Sequence, residues 1–294
     1  MSARLARGAA ALAVALTVAF GGMSCARLDS FLFNPTPAPA GGYDLAACPT
    51  GDPDAPPVGD AIPPAAVDTV VLTAGGETLD ARFVRAADPA ASATVLYSHG
   101  NAENLCRYWG RVQLFYELGL NVLVYDYEGY GASTGEASEE ALYRDVRAAL
   151  EYLRGREDVD QTRIVYYGWS LGGAAAIDLA VTDPPAALVT ESAFASVSAF
   201  LSDSAGVDLP SGFLARSSLD NLAKVARLEN VPYLVLHGDA DDFVRPGYAQ
   251  ELFDAAPGPK RLYLAPGADH DTVPYVDLPA YRDEVGAWVE TYAP

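Results

Sequence analysis

Six short apolar runs dominate the chain: ATVLYS (93–98), NVLVYDY (121–127), RIVYYG (163–168), AALVTES (186–192), PYLVLHG (232–238) and RLYLAPG (261–267). Their spacing leaves room for helices near 105–118, 139–154, 171–182, 247–255 and 279–292. Strands of five or six continuous apolar residues suit a sheet buried on both faces, and strand–helix alternation implies parallel pairing. Ahead of them, DTVVLTA, Gly75-Gly76 and TLDARFVRA read as an antiparallel hairpin. The expected fold is one α/β domain over 67–294, with a mostly parallel central sheet, an N-terminal antiparallel hairpin and helices on both faces. Residues 193–231 break the rhythm, with Phe194, Phe200, Leu201, Leu209, Phe213 and Leu214 set among serines and aspartates. That segment reads as a small lid insertion; the alternative is an ordinary crossover helix with long loops.

The first 24 residues are a separate object. Arg4 and Arg7 precede an uncharged run from Ala9 to Phe20, and small residues then lead to Cys25. This is the layout of a secretory signal, too short to span a bilayer. Ending on Cys25, it resembles a bacterial lipoprotein signal, although Gly22 stands where leucine is usual. Cys25 is thus the expected lipid attachment site, with the protein held at the membrane of the cell envelope; ordinary cleavage and release is the alternative. Residues 25–66, rich in proline, are expected to be a tether and irregular lead-in. Cys48 and Cys106 remain as a pair that an oxidising compartment would allow to bridge, against the reading of two buried thiols.

The formal charge of −20 over 294 residues, with no cluster of Lys or Arg, argues against nucleic acid as a partner. Chemistry concentrates elsewhere. In VYYGWSLGG, Ser170 sits between Gly168 and Gly172 at the junction of a strand and a helix. A side chain at either glycine would strike the helix or the adjacent strand, so the glycines let the chain turn sharply and lift the hydroxyl clear. Gly131-Ala132-Ser133-Thr134-Gly135 has the same spacing but lies beyond its strand and leads into GEASEE, a capped helix start. Ser133 is therefore read as a loop residue, and Ser170 as the nucleophile.

A serine nucleophile needs a base and a group that orients the base. Of three histidines, His270 lies in the loop before the last helix, after the serine and the acidic loop. That is the chain order expected of such a hydrolase. The acid should come from Asp239, Asp241 or Asp242; Asp241 is favoured and Asp242 is the fallback. Oxyanion donors are expected from the backbone N–H of Leu171 and of Asn101, with Ala102 in reserve. His99 is expected to pin that loop. No histidines pair at helical spacing, so no metal site is expected.

SHGNAEN, DYEGYGAS, GWSLGG, HGDADDFV and GADHD, in this order, resemble the α/β-hydrolase superfamily. The branch it most resembles holds depalmitoylase-type domain proteins and bacterial serine aminopeptidase-like hydrolases. The resemblance covers roughly 67–292 and implies serine-dependent hydrolysis with no cofactor or metal. It also implies triad roles for Ser170, Asp241 and His270, and an oxyanion hole from Asn101 and Leu171. Glu128 departs from it, standing where relatives often carry arginine or a small residue. The leading expectation is cleavage of carboxylic esters, or thioesters. Amide or peptide cleavage is the alternative, with Glu103, Glu128 and Asp269 as candidates to hold an amine; an inactive binding module is a third.

Overall fold

The computed structural model of the protein describes residues 32–49, 62–205 and 218–294. Its strands are β1 (Asn34–Pro35), β2 (Val67–Ala74), β3 (Glu77–Val84), β4 (Thr94–Ser98), β5 (Ala102–Glu103), β6 (Asn121–Tyr125), β7 (Ile164–Trp169), β8 (Ala187–Glu191), β9 (Tyr233–Gly238) and β10 (Lys260–Ala265). Its α-helices are α1 (Trp109–Glu117), α2 (Glu139–Arg154), α3 (Leu171–Thr182), α4 (Val197–Ala205), α5 (Asn221–Val225), α6 (Gly247–Ala255) and α7 (Leu278–Tyr292).

Eight strands form the central sheet in the order β10-β9-β8-β7-β4-β6-β3-β2. The hairpin β2–β3 turns at Gly75 and Gly76, whose φ angles of 58° and 100° favour glycine. β3 pairs antiparallel with β6, and from β6 to β10 every pairing is parallel. The apolar runs are continuous because each strand feeds two cores. Val95 and Tyr97 face one side and Leu96 the other; Val165 and Tyr167 oppose Ile164 and Tyr166 in the same way. Helices α2, α3, α5 and α6 close the first core, and α1 and α7 the second. α2 begins where Ser138 Oγ accepts the Ala141 N–H at 3.1 Å, with Glu139 and Glu140 in its first turn. The order reverses at β4, flanked by β6 and β7, and the carboxyl ends of β4 and β7 bound the crevice where an α/β sheet presents its ligands.

Two expectations are corrected. The lead-in is not all tether: residues 32–38 lie against the loop after β4, with β1 paired in parallel to β5, Leu32 and Phe33 buried, and Cys48 bonded to Cys106. Apolar periodicity could not reveal this, because a proline-rich strand of two residues has none. Nor does the lid extend to 231. Leu219, Val225, Leu228 and Val231 are buried in the first core, and α5 packs on α3 and α6, leaving a crossover helix there. Phe194, Phe200 and Leu201 are also buried. Leu209, Phe213, Leu214, Cys25 and the signal segment lie outside the described residues. Among the described residues, no helix is long and apolar enough to cross a membrane.

Candidate active site

Ser170 stands between the end of β7 and the start of α3 with φ 53° and ψ −114°. A non-glycine residue in that region costs on the order of 1–3 kcal/mol and persists only when its surroundings enforce it. The enforcement is visible. The Ser170 N–H donates to the Glu191 carbonyl at 2.8 Å, and its carbonyl accepts the Gly173 N–H at 3.0 Å. A Cβ on Gly168 would collide with the backbone of Gly172, and one on Gly172 with Ser98 at the end of β4. The two glycines thus let α3 press against β7 and β4 while the hydroxyl projects from the turn.

The structure brings Ser170, His270 and Asp241 together from three distant points of the chain. His270 Nε2 lies 3.0 Å from Ser170 Oγ, and its Nδ1 lies 2.8 Å from Asp241 Oδ2. With the Nδ1 hydrogen donated to the carboxylate, Nε2 presents its lone pair to the hydroxyl. Asp242 makes no contact with the imidazole among the described residues, and Asp239 instead accepts the Gly267 N–H at 2.6 Å. Asp241 is the buried member of the trio. Burial pushes its carboxyl up, but hydrogen bonds from His237 and His270, the charge of His270 and the Val244 N–H outweigh that, holding it well below the usual carboxylate range.

His237 was legible only as a strand end, yet it backs the acid. Its Nε2 lies 2.8 Å from the Val244 carbonyl oxygen and 3.2 Å from Asp241 Oδ2. A carbonyl can only accept, so this nitrogen carries the hydrogen and leans it toward both oxygens. The Phe243 and Val244 N–H groups fill the other carboxylate oxygen at 2.9 and 2.8 Å. The spacing His-Gly-Asp-Ala-Asp held the signal: four residues around a tight turn return an imidazole to a carboxylate.

The donors expected for an oxyanion differ in how far their N–H groups are already engaged. Leu171 heads α3, where first-turn N–H groups have no intrahelical acceptor. Ala102, the reserve, is committed: its N–H donates to the Tyr108 hydroxyl at 3.1 Å, and that hydroxyl donates back to the Ala102 carbonyl at 2.5 Å. Asn101 is held instead through its carbonyl, which accepts the Asn34 N–H at 3.0 Å and the Tyr130 hydroxyl at 2.8 Å. Among the described residues its own N–H meets no acceptor. His99 is fully buried between Tyr108 and Tyr127, with Nδ1 2.7 Å from the Gly100 carbonyl, and holds the loop.

Beneath the site runs a buried ion pair that the sequence reading missed. Arg111 in α1 donates to Glu191 Oε1 through Nε and Nη2 at 3.1 and 2.6 Å, and Tyr167 donates to Oε2. Nη2 also donates to the Asp271 carbonyl at 3.0 Å, next to His270, while the guanidinium lies 4.2 Å from the ring centre of Trp169, next to Ser170. The remaining candidates are otherwise engaged. Ser133 Oγ donates to the Asp126 carbonyl and accepts the Asp80 N–H, bracing the hairpin. Glu128 is buried and paired with Arg144. Asp269 caps its own turn through Asp271, Thr272 N–H and Thr272 Oγ1. Glu103 is exposed with φ 59°, 3.6 Å from Arg107.

A family model described as "Serine aminopeptidase, S33" matches residues 89–218. An uncharacterized protein of Mycobacterium tuberculosis is 39% identical over 223 residues, covering 75% of this chain and 78% of its own length. The uncharacterized protein YfhR of Escherichia coli is 34% identical over 184 residues, 61% of this chain and 63% of its own. In three dimensions the chain is similar to an esterase of Pyrococcus furiosus, at TM-score 0.68 and 18% identity over 90% of this chain and 98% of that one. It is similar also to the esterase domain of a Rhodothermus marinus protein, at TM-score 0.58 and 23% identity over 78% and 100%. With the elbow at Ser170, the switch point at β4 and these likenesses, the chain belongs to the α/β-hydrolase superfamily and is a hydrolase.

Proposed function

We propose that this protein is an exported serine hydrolase that cleaves carboxylic esters through an acyl-enzyme on Ser170. The reading rests on one observation: an unbroken chain of contacts from Asp241 through His270 to Ser170 Oγ, at 2.8 and 3.0 Å, on a strained elbow. Ser170 Oγ attacks the acyl carbon as His270 Nε2 takes its proton. Asp241 keeps the imidazole in that tautomer and stabilises the imidazolium that forms. The oxygen of the tetrahedral intermediate receives the N–H groups of Leu171 and Asn101, and His270 then returns the proton to the leaving alcohol. Water repeats the sequence on the acyl-enzyme and releases the acid.

Esters are favoured over peptides for two reasons. Of the three acids that could hold a peptide amine, Glu128 and Asp269 are already engaged. The surface beside the base is apolar: Phe243 is 50% exposed with its ring centre 5.0 Å from that of His270, and Phe200 backs it at 5.3 Å. Thioesters fit the same acyl chemistry. Export is supported by the leader and by the Cys48–Cys106 bond, which an oxidising compartment preserves, and a lipid on Cys25 rests on the leader alone.

The test is a fluorophosphonate probe on wild type and Ser170→Ala, followed by p-nitrophenyl esters against aminoacyl anilides. Labelling of wild type alone, with faster ester turnover, is expected. Labelling of Ser170→Ala removes the reading, and faster anilide turnover replaces the ester with an amide.

A further inference from the structure

The loop that carries Asn101 does not hold its shape alone. Residues 32–38 run between it and the loop after β6, zipped to both sides. Asn34 N–H donates to the Asn101 carbonyl at 3.0 Å and Thr36 N–H to the Glu103 carbonyl at 2.9 Å. The Asn101 and Asn104 side-chain amides donate in return to the Leu32 and Thr36 carbonyls, each at 3.2 Å. On the far side Ala38 N–H donates to the Gly131 carbonyl at 2.8 Å, and Gly131 N–H to the Thr36 carbonyl at 3.2 Å. Further on, the Tyr43 hydroxyl donates to Asp126 Oδ2 at 2.6 Å, and Cys48 is bonded to Cys106 just past the loop. The loop itself includes Glu103 at φ 59°, a conformation an isolated glutamate disfavours.

We propose that this N-terminal strap is a positioning element for the oxyanion hole, and that the Cys48–Cys106 disulfide keeps it docked. The inference rests on the reading of Asn101 N–H as an oxyanion donor. That N–H lies in one peptide plane with the Gly100 carbonyl, 2.7 Å from His99 Nδ1, and three further contacts, on the Asn101 carbonyl or side chain, restrain the residue that carries it. Two of the three, from Asn34 N–H and to the Leu32 carbonyl, belong to the strap; the third is Tyr130. Without the strap, Asn101 keeps its amide and the holds from His99 and Tyr130 but loses the two from residues 32 and 34, and a preorganised donor becomes one that must reorganise further as charge develops. The strap touches neither Ser170 nor His270 among the described contacts, so its loss should act on the transition state and leave ground-state binding alone.

The experiment uses the full-length oxidised protein and a short p-nitrophenyl ester. Asn34→Pro deletes the N–H donated to Asn101 in an extended segment already followed by Pro35, and Asn101→Ala keeps the backbone donor while removing the side-chain hold on Leu32. Each variant should lower kcat by on the order of tenfold, short of the roughly 10²–10³ for outright loss of a donor. KM and the acid limb of the pH–rate profile should stay in place, because acyl binding and the His270–Asp241 pair are untouched. Affinity for an aryl trifluoromethyl ketone, whose Ser170 adduct carries an oxyanion, should fall in parallel with kcat. Dithiothreitol should lower the wild-type kcat reversibly and leave Cys48→Ser/Cys106→Ser unaffected.

If both variants keep wild-type kcat and ketone affinity while Ser170 still takes the fluorophosphonate, the strap inference fails and the hydrolase reading stands. If KM, melting temperature and the acid limb shift together with kcat, the strap is merely structural and the inference also fails. A wild type that takes no label at Ser170 removes both.

Discussion

At the residue scale, Asp241 and Asp242 are neighbours in sequence and opposites in circumstance. Asp241 is buried with four donors aimed at its two oxygens, His270 and His237 on one and two backbone N–H groups on the other. Asp242 is exposed. Asp241→Asn should preserve the shape of the site but favour the wrong imidazole tautomer, lowering kcat by on the order of 10⁴. Asp242→Asn should stay within about twofold of wild type, as an exposed charge outside a network does. Steady-state ester kinetics on the pair check this, and the reverse result moves the acid to Asp242. Arg111 makes a second comparison. Arg111→Met leaves Glu191 buried without its counter-ion and should cost roughly 3–5 kcal/mol of unfolding free energy, read by urea titration. Loss of under about 1 kcal/mol would mean that Tyr167 and Tyr281 satisfy Glu191 unaided.

Elements differ in how much of themselves they write into sequence. The parallel strands announce themselves because burial on both faces demands an unbroken apolar run, and α2 does so through Ser138, its acidic first turn and its periodic apolar face. The elbow is legible for a steric reason, since only glycine fits at 168 and 172. The strap and the Arg111–Glu191 pair were not, because each depends on partners 68 to 80 residues away and follows no local period. The lid was overextended for a related reason. Serines and aspartates around α5 concealed that Leu219, Val225 and Val231 reach the core one at a time.

One element carries a polar cost that should be measurable. Asp145, inside α2, is buried, with Oδ2 accepting the Glu128 N–H at 2.8 Å and Oδ1 lacking a partner among the described residues. Burial first, then the Glu128 carboxylate, push its pKa up to about 8, against the Glu128 N–H and Arg144. An acid whose folded pKa lies above its unfolded value binds more protons in the folded state, so stability falls as pH rises from about 4 to about 8. Asp145→Asn resembles the protonated carboxyl and should melt above wild type at pH 8, the gap shrinking toward pH 5. A constant gap across that range would show that the carboxyl does not titrate there.

For the whole molecule, the length of chain between Cys25 and the fold bounds how far the crevice can stand from an anchor. The strap docks Leu32 onto the Asn101 loop, and Cys25 lies seven residues earlier in the chain. Seven steps reach at most about 25 Å however they are arranged. If Cys25 carries lipid, the crevice at the carboxyl ends of β4 and β7 is therefore confined near the bilayer surface, with the half-exposed Phe243 beside His270. One acyl chain binds membranes only marginally, so a stable anchor needs more than one. Grown with an alkyne-bearing fatty acid, cells should yield labelled wild type and unlabelled Cys25→Ala, and the variant should lose activity toward esters embedded in vesicles while matching wild type on short soluble ones. Equal labelling of the two proteins would place no lipid on Cys25, and equal turnover of vesicle-borne ester would mean that the crevice finds its substrate without the anchor.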